Sequence, residues 1–69
     1  MTTNKQERLN QRIQNRIQDL HATIAVLARQ YAEARANGDK AESASALSNI
    51  EILQELLERA YAKADEIKE

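Results

Sequence analysis

Apolar side chains return along this chain at alternating steps of four and three. Ile13, Ile17, Leu20, Ile24, Leu27, Tyr31 and Ala34 make one such series; Ser43, Ala46, Ile50, Leu53, Leu57, Ala60, Ala64 and Ile67 make a second. That spacing keeps a single stripe of a helix apolar and is the a/d pattern of a helix packed lengthwise on a neighbour, with Asn10 in the first a position. Between the series lies RANGDKAE, residues 35–42, with the only glycine of a 69-residue chain that has no proline. Asn37 and Gly38 tolerate the left-handed conformation that ends a helix, and Asp39 followed by Glu42 has the D-x-x-E form of a capping box. The pattern predicts helices over 4–36 and 40–68 around a turn at Asn37-Gly38-Asp39, the first helix starting from Thr3 with Gln6 or from Asn4 with Glu7. Helices of roughly 50 and 43 Å joined by so short a turn run antiparallel.

Folding the hairpin about the glycine brings residues whose numbers add to 77 face to face. Leu20 then meets Leu57, Ile17 meets Ala60, Ile13 meets Ala64, and Asn10 meets Ile67; towards the turn, Ile24 meets Leu53, Leu27 meets Ile50, Tyr31 meets Ala46, and Ala34 meets Ser43. Each layer joins an a to a d position, and several set a large side chain against a small one. Apolar residues remain beyond the seam. Ala28, Leu47 and Tyr61 lie on the e edge, while Leu9, Val26, Ile52 and Leu56 lie on the g and c edges, where a solvated hairpin would carry charge. The expected fold is all-α, a single helical-hairpin domain over 1–69 that pairs into a homodimeric four-helix bundle; one edge serves the dimer and the other a partner.

Size makes pairing the available remedy. A core from a chain this short supplies only about 3–5 kcal/mol unless a disulfide, a metal or a second copy helps. The sequence has no cysteine and one histidine. With 42% hydrophobic and 30% charged residues and a formal charge of -1, it is neither a disordered tail nor a strongly basic nucleic-acid binder. No apolar run approaches the roughly 20 residues of a membrane span, and the polar start MTTNKQERLNQR has no signal-peptide core, so a soluble, cytoplasmic protein is expected.

Candidate chemistry is sparse. His21 is expected on a flank beside Gln54, in a structural or solvated role, and Tyr31 in the seam. The carboxylates Glu51, Glu55, Glu58, Asp65 and Glu66 spread around their helix instead of converging. No E-x-x-H pair, glycine-rich phosphate loop or Ser-His-Asp set is present, and the reading is of a non-enzyme without metal or cofactor. Charge is more informative. Residues 4–19 carry four bases against two acids, and the facing 55–69 carry five acids against three bases. Cross-helix pairs Arg12–Glu66 and Asp19–Arg59 are expected from this. On the g edge, Arg16 and Lys63 fall opposite each other with Arg12 and Arg59 nearby, and this basic end merges into Thr23, Val26, Ile52 and Leu56. These eight form the candidate partner-binding surface; Ala28, Leu47 and Tyr61 form the second edge, for the dimer or a partner.

Three classes of function fit. The first is a small adaptor or inhibitor that binds another protein, as compact virus- or plasmid-encoded regulators and secretion chaperones do. The second is nucleic-acid binding: a dimer of hairpins whose first helix reads NKQERLNQRIQNRIQ resembles the architecture of the Rop family of plasmid RNA-binding proteins, which implies contacts from Arg, Asn and Gln of that helix to RNA. The third is a structural coiled-coil module; the initial Met and charged end favour a complete small protein over such a fragment.

Overall fold

A computed structural model describes residues 4–68. They form two helices, α1 (Asn4–Ala36) and α2 (Lys40–Lys68), packed along their length as a hairpin 55 Å long and 14 × 11 Å across. The Thr3 alternative for the start of α1 lies outside the described residues. Both helices follow from long stretches of good helix formers, with Glu7 and Glu42 in the first turns and Arg35 in the last turn of α1, each matched to the sign of the helix dipole.

The turn is made by three residues with distinct tasks. Gly38 takes φ 73, and its N–H donates to the Arg35 carbonyl at 3.1 Å while the Asp39 N–H donates to the Ala34 carbonyl at 2.9 Å. Those two bonds form the Schellman motif, which satisfies carbonyls that the end of α1 would leave open. Asp39 then begins α2: its Oδ1 accepts from the Glu42 N–H at 3.0 Å and its carbonyl from the Ser43 N–H at 3.0 Å. Only half of the expected capping box exists. The reciprocal bond needs the Asp39 N–H as a donor to Glu42, and that N–H is already committed to Ala34.

Every residue assigned to the seam is buried or half-buried. At the open end Ile13, Ile17 and Leu20 of α1 pack on Ala60 and Ala64 of α2, with Leu53, Leu56, Leu57 and Ile67 around them. Bulk on one helix therefore meets small residues on the other. Near the turn, Ala34 and Ala46 are buried. Leu56, expected to lack cover inside one hairpin, is half-buried against this cluster. Asn10 is half-buried in its a position, and its side-chain oxygen has no partner among the described residues. Among the described residues no large side chain falls below 2% exposure, so the core is a strip and not an interior.

Neither expected cross-helix ion pair forms. Arg59 turns to Glu55 on its own helix, Nη2 to Oε1 at 3.6 Å, and both side chains are largely solvated. An i,i+4 pair on one helix needs no particular spacing between two helices, and at such exposure it contributes about 0.3–0.5 kcal/mol.

Candidate interaction surface

The two flanks of the hairpin differ in chemistry. On the g and c side, Arg16, Leu56, Arg59 and Lys63 come together around a shallow groove whose floor is Ile13 and Ala60. Four of the eight residues of the candidate partner surface thus share one site, cationic at its walls and apolar at its base. Ile52 follows one turn from Leu56 on the same face of α2, and it is 56% exposed; Val26 on α1 is 57% exposed. The two lie at the same level of the hairpin, because Ile24 faces Leu53 in the seam, and exposed side chains of this size are the kind that a partner covers. Thr23, one turn before Val26 on α1, donates its hydroxyl to the Asp19 carbonyl at 2.9 Å, so its polar end is turned back onto α1 and the methyl group remains for contact. Arg12 departs from the expected cluster. It lies with Asn4, Lys5, Arg8 and Leu9 in a depression that belongs to α1 alone.

A second groove occupies the turn end of the same flank, lined by Gln30, Glu33, Ala34, Asn37, Asp39 and Glu42. The sequence marked Asn37, Asp39 and Glu42 as turn chemistry and Ala34 as seam, and the surface they share with Gln30 and Glu33 was missed. The signal was present in the heptad: Gln30 and Glu42 hold g positions and Glu33 a c position, the same edges that carry Arg16, Lys63 and Arg59 at the other end.

On the e flank His21 Nε2 and Tyr61 Oη are 2.8 Å apart, and their rings meet edge to face at 6.1 Å and 66°. The partner of His21 is therefore Tyr61 and not Gln54. Side chains lean towards the N-terminus of their own helix. Across an antiparallel pair, His21 leans to the open end while Tyr61 leans to the turn, and the two converge although their backbones are offset; Gln54 leans away. Leu47 is 41% and Tyr61 47% exposed, and Ala28 is exposed as well. Farther along, Arg35 Nη1 donates to the Tyr31 hydroxyl at 3.1 Å with the guanidinium 5.8 Å from the ring centre. That hydrogen bond raises the already high pKa of Arg35, which stays a cation.

Among the described residues no group of three His, Cys, Asp or Glu is placed to hold a metal ion, and no helix is long and apolar enough to cross a membrane. The arrangement offers surfaces for contact: one flank with an apolar centre between opposite charges, the other with the aromatic pair His21–Tyr61 and, about 21 Å along α2 from Tyr61, Leu47. Compared with known proteins, the chain matches no family model, no curated protein and no solved structure.

Proposed function

We propose that this chain is a non-enzymatic protein–protein interaction module, in which two hairpins pair into a four-helix bundle through one flank and a partner protein docks on the other. The observation that carries the reading is the exposure of Leu9, Val26, Leu47, Ile52 and Tyr61, each between 41% and 57%, on a hairpin with no fully buried large side chain. A chain of this length gains too little from a single seam to leave such residues in water, and covering the exposed half of each would add on the order of 1 kcal/mol. The partner-facing role is that of a small adaptor or inhibitor: a rigid helical surface, without loops to rearrange, binds by shape and by a few anchors.

One observation supports a second reading, nucleic-acid binding. Asn4, Lys5, Arg8 and Arg12 lie along one surface of α1 and would suit phosphate contacts. The test is capture with tagged protein, analysed with and without nuclease and at low and high salt. A protein retained after nuclease treatment, and lost from a Leu47→Ala, Tyr61→Ala or Ile52→Ala variant that is still helical, supports the module. Recovery of RNA or DNA with a steep salt dependence, abolished by Arg8→Ala with Arg12→Ala, overturns it in favour of the second reading.

A further inference from the structure

From the charge pattern we infer that the g and c flank is the self-association seam, and that a second copy packs on it antiparallel, α1 over α1 and α2 over α2. The inference rests on the paired-bundle reading above and assigns its flank, orientation and register. Two grooves occupy this one flank. The groove at the open end is walled by Arg16, Arg59 and Lys63, and the one at the turn end by Glu33, Asp39 and Glu42. Within one hairpin they cannot neutralise each other, since Arg16 and Glu33 are about 25 Å apart along α1 and Lys63 and Glu42 about 32 Å apart along α2. A two-fold axis across the flank brings the basic groove of each copy onto the acidic groove of the other.

The position of that axis is fixed twice. The midpoint of Arg16 and Glu33 falls between Ile24 and Ala25, and that of Lys63 and Glu42 falls between Ile52 and Leu53. These two points lie at the same level of the hairpin, because Ile24 faces Leu53 in the seam. One axis therefore pairs Arg16 with Glu33 of the second copy and Lys63 with Glu42 of the second copy, each pair twice by symmetry. The same axis passes beside Val26 and Ile52, which at 57% and 56% are the most exposed large apolar residues described. Charge and apolar surface thus share a centre, an apolar middle with a charged rim. Parallel pairing would instead lay Arg16 over Lys63 of the second copy and Glu33 over Glu42, like charge on like. The e flank, with Ala28, Leu47 and the His21–Tyr61 pair, is then the surface left for a different protein.

Sedimentation equilibrium of the full chain, Arg16→Glu, and Arg16→Glu combined with Glu33→Arg tests the assignment, with circular dichroism to confirm that all three are helical. Antiparallel pairing gives an Arg16→Glu dimer about tenfold weaker, because two symmetry-related contacts turn repulsive, and the double variant returns to within about threefold of the parent. A tighter Arg16→Glu dimer means parallel pairing, and an unchanged constant means that the seam is on the e flank; either overturns the assignment and leaves the paired bundle standing. A parent that stays monomeric overturns both.

Discussion

Gly38 holds φ 73, and nothing lies within 4 Å of where a Cβ would go. A side chain would find room there, so the cost of one is the left-handed backbone itself. Gly38→Ala is expected to lower stability by about 1–2 kcal/mol, with Gly38→Asn costing less because asparagine tolerates this region; urea midpoints at one fixed protein concentration measure both. Asp39 closes α1 with its N–H and caps α2 with its carboxylate. Asp39→Ala removes only the second task and is expected to cost about 1 kcal/mol. Asn10 points the other way. Its buried side-chain oxygen has no partner among the described residues, and an unsatisfied buried acceptor costs about 1–3 kcal/mol. Asn10→Leu is therefore expected to raise the melting temperature; a fall would mean that Asn10 fixes the register, as polar residues in a positions can.

The helices were legible because one period runs the length of each without interruption. All the side chains from Asn10 to Ala34 and from Ser43 to Ile67 in the a/d series are covered to some degree, and beyond them, among the described residues, only Gln14 and Leu56 join the half-buried set. Periodicity says which stripe is covered but not how far each side chain reaches. The lean of side chains along their helices joined His21 to Tyr61, and the geometric ease of an i,i+4 contact joined Arg59 to Glu55. Both outcomes depend on atoms beyond Cβ, which a heptad does not specify. The seam itself yields a firm expectation. Leu20, 7% exposed, packs in the cluster with Ile17 and Ala60, and truncating such a leucine costs about 2–5 kcal/mol. Leu20→Ala is expected to lose most of its helical signal at 25 °C; retention of the parent melting midpoint would mean that the register adding to 77 is wrong.

A rod 55 Å long and 14 × 11 Å across has too much surface for its volume, and the proposed pairing would cover apolar residues that it leaves exposed. Opposite charges at the two ends of one flank could not be read from composition, since the chain carries a net charge of only -1 and the two grooves cancel in the total. Folding the chain at Gly38 sorts those charges in space, and a second copy can then match them. Stability should accordingly depend on protein concentration, with the melting temperature rising as concentration rises. Multi-angle light scattering at micromolar concentration is the most direct check on this pairing. A helical species of twice the 7.8 kDa chain mass is expected, and a fully helical, stable species of 7.8 kDa contradicts the paired bundle on which the proposed function stands.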